Sequence, residues 1–217
     1  MLKNIKAAIF DLDGTLVDSM GVWTKVDIDF LEERGIEVPE DLRGEIEHLS
    51  FTDTAKYFKN RFNLPESIEE IVDEWNNMAY YEYSNTVKLK PDVKEYLELL
   101  KFKGIKLALA TSNSKLLLEV VLKNNGIYEY FDSITTTIEV SRGKDNPDIY
   151  LLSADKLGVS PEECIVYEDI LPAVKGAKAA GMQVVGIYDA YSEHQKEDII
   201  KTADHYIYKY EDLIKAS

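Results

Sequence analysis

Two carboxylates one residue apart, Asp11 and Asp13, end the apolar run in IKAAIFDLDGTLVDSM, residues 5–20. Comparable chemistry comes after two more apolar runs: Thr111-Ser112-Asn113 after Leu107–Ala110, and Glu168-Asp169 after Cys164–Tyr167. Lys144 sits in SRGKDNPDIY, ahead of a helix starting near Pro147. Taken singly, each has an ordinary reading. Asp and Gly are common turn residues, Thr111 or Ser112 can cap a following helix, Glu168-Asp169 suits a helix N-terminus, and Lys144 can be one surface lysine among many. Gathered at one sheet edge, they are a different object. Three acids there repel unless a divalent cation neutralises them, and oxygen-only ligands suit Mg²⁺. A hydroxyl and a lysine beside them hold the oxygens of a phosphate. That is apparatus for phosphoryl transfer, by positioning and charge neutralisation. Two aspartates can divide the labour: one, ionised, attacks phosphorus, while the other, protonated, donates to the leaving oxygen and later activates water.

Something must bring these residues together. The runs Ala7–Phe10, Leu107–Ala110, Cys164–Tyr167 and Val184–Ile187 read as strands buried on both faces, the mark of a parallel sheet. Helical patterns lie between them. Val93, Tyr96, Leu97 and Leu100 recur at helix spacing after Pro91, and Ser114–Asn125 is a second helix stopped by Gly126. SPEE, Ser160–Glu163, reads as a very short helical turn with an N-cap serine and a capping-box glutamate. Alternating strands and helices argue for an α/β, doubly wound fold, in which ligands bind beyond the carboxyl ends of the strands.

From Val17 to Asn85 this rhythm breaks. No strand is evident, but Ser67–Glu70 is a capping box, followed by Ile68, Ile71, Val72, Trp75 and Ala79 on one face. Val26, Phe30 and Leu31 form a similar stripe. The block reads as a helical domain, 17–85, inserted between core segments 1–16 and 86–217. Its linkers, Val17–Met20 and Tyr83–Leu89, should act as hinges that close over substrate and exclude water.

Composition narrows the partners. The 217 residues carry 25 basic and 40 acidic side chains, a net charge of −15, which disfavours nucleic acid. A small anionic substrate would need a local device, a metal or a placed lysine. No stretch suits a bilayer span or a signal peptide, so no membrane partner is expected. A single cysteine, Cys164, fits a reducing cytosol and reads as a small buried hydrophobe. By default this points to a cytoplasmic protein, and the layout works as a monomer. His48, His194 and His205 lack metal-ligand spacing. Trp23, Tyr80, Tyr81 and Tyr83, near the linkers, are candidates for lining a specificity pocket, and Asn113 and Ser114 for touching substrate or phosphate.

In order, DLDGTLVDS, LALATSNS, GKDNPDIY and VYEDILPAVKGAKAAGM resemble the four motifs of the haloacid dehalogenase superfamily, over essentially the whole chain. The helical block stands where the β-phosphoglucomutase-like and phosphoglycolate-phosphatase-like branches carry a cap over a Rossmann-like core. The resemblance implies that Asp11 is the nucleophile forming an aspartyl-phosphate and that Asp13 is the general acid/base, its main-chain carbonyl also reaching Mg²⁺. It implies Thr111 and Lys144 as the phosphate-binding hydroxyl and charge-balancing lysine. It makes Asp169 the second metal carboxylate, with Glu168 beside it. Asp13 argues against dehalogenation, because members acting on haloacids lack it. Ile170, Ala173 and Asp145 depart from the Ser, Gly and Pro usual at those places.

The cap decides the fate of a phosphoenzyme. Sugar phosphomutases of this family grip a second phosphate with an arginine and a glycine in a short cap segment. Here that segment, HLSFTDTAKYF, has neither, and Arg43 and Arg61 only flank it. A mutase must also keep water away while its intermediate reorients. The balance favours a Mg²⁺-dependent phosphatase acting on a small phosphorylated metabolite, with a hexose phosphate mutase as the alternative. An Arg43 or Arg61 reaching a second phosphate on closure would reverse that balance. Receiver domains gather similar residues but lack the cap and the D-x-D spacing, so a phosphoacceptor signalling role, or an idle binding role, is more remote.

Overall fold

The computed structural model describes residues 4–47 and 49–216; His48 therefore lies outside the described residues. Six parallel strands form one sheet in the order β3-β2-β1-β4-β5-β6. They are β1 Ala7–Phe10, β2 Lys106–Thr111, β3 Ser133–Thr136, β4 Cys164–Glu168, β5 Gln183–Ile187 and β6 His205–Ile207. The four apolar runs in the sequence are the four central strands. The two strands that the sequence did not announce are the edges. SITT and HYI are short and partly exposed, so no continuous apolar run marks them.

Alternation along the strands builds two hydrophobic layers. Phe10, Leu109, Tyr167 and Val185 pack on one side with α5 (Val93–Phe102), α6 (Lys115–Asn124) and α10 (Tyr210–Lys215). Ile9, Ala108, Val166 and Val184 pack on the other with α7 (Asp148–Leu157), α8 (Leu171–Ala179) and α9 (Lys196–Thr202). Chain order reverses between β1 and β4, which opens a crevice at their carboxyl ends. Phe10 pairs in register with Leu109 and Tyr167, and its ring stacks on Tyr167 at 4.3 Å. Asp11 and Glu168, one residue farther along each strand, therefore emerge level with each other.

Among the described residues four helices come between β1 and α5: α1 Met20–Glu32, α2 Leu42–Ile46, α3 Phe51–Arg61 and α4 Ile68–Asn85. The capping box at Ser67 and Glu70 is formed. Inside this unit Trp75 meets Phe30, Phe51 and Phe58 edge-on, at centroid distances of 5.5, 5.6 and 4.9 Å. The connecting segments run side by side, with Asp18 N donating to Lys88 O at 3.0 Å and Lys90 N to Leu16 O at 2.9 Å. Tyr83, expected in a linker, belongs instead to the last turn of α4, buried there. At SPEE the turn is a 3-10 turn, Pro161–Glu163, too short for the expected box, and Ser160 makes no side-chain cap bond. Among the described residues no helix is long and apolar enough to cross a membrane.

One helix position controls the loop bearing Lys144. A Cβ at Gly176 in α8 would lie 2.0 Å from the Lys144 carbonyl oxygen and 2.8 Å from that of Asn146. The loop rests directly on helix backbone, with no room for a methyl group. Gly176→Ala is expected to cost about 1–3 kcal/mol, read as a lower urea midpoint.

Candidate active site

A tight turn succeeds β1, with Gly14 N donating to Val17 O at 3.0 Å and Leu16 N to Leu12 O at 2.9 Å. Gly14 adopts φ +81°, and a Cβ there would fall 2.4 Å from Asp169 Oδ2, so the turn needs glycine twice over. This turn sends the two aspartates to different surroundings.

Asp11 faces β4 and the Lys144 loop. The Lys144 ammonium donates to Asp11 Oδ1 at 2.6 Å and pairs also with Glu168, both contacts buried. Tyr150 Oη on α7 donates to Glu168 Oε1 at 2.8 Å, and Thr15 Oγ1 donates to Asp169 Oδ1 at 3.1 Å. Tyr210 on α10 in turn donates to the Thr15 carbonyl at 3.2 Å. Oxygens of Asp11, Glu168 and Asp169 lie within 4.8 Å of one another, and Glu168 Oε2 is buried without a hydrogen-bond partner among the described residues. Burial raises the pKa of Glu168 and of Asp169, and the charge of Asp11 adds to it. For Lys144, burial opposes the charge, but Asp11 and Glu168 outweigh it and raise the pKa. Three crowded carboxylates with a free oxygen and only oxygen donors fit a small hard dication such as Mg²⁺.

Asp13 is turned away from that cluster, and its carboxylate is not one of the three. Ser19 Oγ donates to Oδ1 at 2.6 Å, Asn113 Nδ2 to Oδ2 at 2.8 Å, and Tyr83 Oη also to Oδ1. Tyr83 Oη itself accepts from Trp23 Nε1 at 2.7 Å and Asn113 Nδ2 at 3.1 Å. With both lone pairs engaged, its proton goes to Asp13. Burial, helped by the nearby Asp11 charge, nevertheless raises Asp13 above the ordinary carboxyl value against these donors. Such an acid keeps its proton to a higher pH than a free aspartate would.

The strand-end residues after β2 divide their work. Thr111 Oγ1 accepts from Asn113 N at 3.0 Å, while Ser112 Oγ is buried with no partner among the described residues. The helix cap is neither of these but Ser114, accepting from Leu117 N at 3.4 Å, its hydroxyl donating to Asn76 Oδ1 of α4 at 2.6 Å. Cys164 is buried in β4, its thiol pushed up to about 11 by burial, as suits an inert side chain.

Comparison with known proteins fits this arrangement. The family model of the haloacid dehalogenase-like hydrolases matches residues 5–181. The chain belongs to that family. It is 32% identical over 179 residues to a phosphorylated carbohydrates phosphatase of Thermotoga maritima, covering 82% of this chain and 83% of the relative. It is 31% identical over 189 residues to hexitol phosphatase B of Escherichia coli (strain K12), covering 84% and 83%. The crystal structure of β-phosphoglucomutase from Clostridium difficile superposes with a TM-score of 0.81 at 25% identity, over 96% of this chain and 93% of that one.

In this haloacid dehalogenase-like hydrolase, a cavity of about 310 Å³ joins the carboxylate cluster to the helical unit. Trp23, Asp27 and Arg43 line it, with Thr111, Ser112 and Asn113. Of the four linker aromatics, Trp23 lines the cavity and Tyr83 holds Asp13, whereas Tyr80 and Tyr81 are 44% and 67% exposed. Arg61 is turned outward to Asp41 at 2.6 Å. Asp27 is the surprise. An aspartate on a helix with a mixed face gives no signal in sequence until the fold sets it in the same cavity wall as Arg43 of α2. Its carboxyl is pushed up to about 7 by burial, against the pull of Arg43. Between the ordinary value of 3.8 and about 7, the folded state holds a proton that the unfolded chain has lost, so rising pH erodes stability. Asp27→Asn should therefore raise Tm by about 2–4 °C at about pH 8 and by much less at about pH 5, measured by calorimetry.

Proposed function

We propose that the protein is a Mg²⁺-dependent phosphatase hydrolysing a phosphorylated carbohydrate through an aspartyl-phosphate on Asp11. The enzyme is a phosphoric monoester hydrolase by family and relatives. The observation that carries the finer reading is the pair of environments one residue apart: Asp11 bound to Lys144, Asp13 apart from it with a raised pKa. Asp11 attacks phosphorus, and the phosphorus–oxygen bond to the leaving group breaks. Asp13 gives its proton to that leaving oxygen. Asp13, now a carboxylate, takes a proton from water, whose oxygen attacks the phosphoenzyme and restores Asp11. Lys144 balances the transferred charge, and Thr111, Ser112 and Asn113 at the crevice are placed to orient the phosphate. Asp11, Glu168 and Asp169, with the Asp13 carbonyl, would hold Mg²⁺, which when bound supplies further neutralisation of the phosphoryl oxygens. The names of the Thermotoga and Escherichia relatives support a carbohydrate as the leaving group.

A hexose phosphate mutase is the second reading, favoured by Arg43 in the cavity wall. Incubation with Mg²⁺ and a panel of phosphometabolites, including both glucose phosphates, separates the two when free phosphate and sugar isomers are assayed together. Phosphate release from carbohydrate phosphates is expected, lost at least about a thousandfold in Asp11→Asn and on chelation. Isomerisation without release would overturn the hydrolytic reading. Tyr83→Phe, which leaves Asp13 without one of its donors, should lower kcat about tenfold with KM nearly unchanged.

A further inference from the structure

Away from its linkers the helical unit is hydrogen-bonded to the core at two places among the described residues. On α4, Asn76 Oδ1 accepts from the Ser114 hydroxyl at 2.6 Å, where α4 packs on α6. Just past α2, Glu47 accepts from Gln195 Nε2 with both carboxylate oxygens, at 2.7 and 2.8 Å. Beside that second place the Arg43 guanidinium lies over the Tyr191 ring at 4.9 Å.

Gln195 ends a 3-10 helix, Ala190–Gln195, that follows β5. The core holds the start of this segment: Asp189 accepts from Lys90 Nζ and from Tyr191 N, both at 2.8 Å. At its end Gln195 Oε1 accepts from Leu171 N at 2.7 Å, and its Nε2 also stands 3.1 Å from His194 Nε2. Leu171 is the first residue of α8, two positions past Asp169, and Ile170 before it makes no side-chain cap bond. A helix start leaves N–H groups without intrahelical partners, so Gln195 supplies an acceptor that Ile170 lacks. One planar amide thus has its two ends on two bodies. The oxygen accepts from the helix that follows a carboxylate of the acidic cluster, and the nitrogen donates to the helical unit. Donation to an ionised carboxylate is the stronger kind of hydrogen bond.

We propose that Gln195 is a positioning residue that clasps the helical unit over the carboxylate cluster. Rotation about the linkers breaks its bond to Glu47 and leaves its bond to Leu171, so the clasp stays with the core and is remade on closure. It sets the share of molecules already closed when substrate arrives. Apparent affinity falls in proportion to that share, whereas enzyme saturated with substrate is closed in either case. The clasp therefore shows in KM and not in kcat. Clasping needs the two linkers to act as hinges, and it serves hydrolysis and isomerisation alike.

Gln195→Glu keeps an acceptor for Leu171 N but sets a second carboxylate against Glu47. Combining it with Glu47→Gln restores a donor–acceptor pair with the roles exchanged. X-ray scattering without ligand and Mg²⁺-dependent turnover of p-nitrophenyl phosphate read the clasp independently. In Gln195→Glu the radius of gyration, about 17 Å for a compact chain of this length, should grow by about 1 Å. KM should rise about tenfold with kcat held within about threefold, and the double variant should reverse both changes. Where Gln195→Glu does not fold, Glu47→Ala breaks the clasp from the other side, leaves α8 capped and should enlarge the radius equally. An unchanged radius in the variant that folds would overturn the clasp. So would a fall in kcat at constant KM, which marks damage passed through α8 to Asp169, or a rise in KM that the double variant leaves in place. The hydrolytic reading fails separately: no nitrophenol from the unsubstituted enzyme would remove the phosphatase and leave the scattering to decide for or against Gln195.

Discussion

A lysine held between two buried carboxylates governs the architecture around it. Lys144 contacts Asp11 and Glu168 at the carboxyl edge of the sheet, with Asp169 alongside. Burying three acids together is unfavourable, and removing the ammonium would leave the acids uncompensated. The surroundings read as provisions for keeping that group in place. β1 and β4 deliver Asp11 and Glu168 in register, Gly176 lets the lysine loop lie against α8, and Tyr150 ties Glu168 to α7. From the C-terminal helix, Tyr210 supports the turn after β1 through the Thr15 carbonyl, and Thr15 in turn bonds Asp169.

Asp13 shows how one residue of spacing yields a different acid. The Gly14 turn takes it out of the cluster and into a network assembled from three parts of the chain. Ser19 comes from the first linker, Tyr83 from the last turn of α4, and Asn113 from the loop after β2. Two of those parts, at Ser19 and Tyr83, stand at the two ends of the helical unit. Asp13 is therefore anchored to the junction on which any movement of that unit would turn.

The segment after β5 joins the insertion to the core a second time. Asp189 binds Lys90, just past the second linker, at 2.8 Å, Tyr191 lies under Arg43, and Gln195 bonds both Glu47 and the Leu171 amide. The contact of the helical unit with the core and the setting of Lys90 thus share one short stretch of chain.

The sequence by itself determined the central strands, the inserted helical block and the residues that end each strand. The reason is local: apolar runs, capping boxes and turn residues announce elements through interactions a few residues apart. The edge strands escaped because half-exposed tripeptides and tetrapeptides bury too little to stand out. Motif residues Asp11, Asp13, Thr111, Lys144 and Asp169 were visible from their spacing after those runs. Which of them touch was not. Only the tertiary structure set Asp11 on Lys144 and Asp13 on Tyr83, made Ser114 rather than Thr111 the helix cap, and put Asp27 and Arg43 on the wall of one cavity. Contacts between residues 70 or 133 positions apart, as in Tyr83–Asp13 and Lys144–Asp11, come from register and helix packing, which no local pattern encodes.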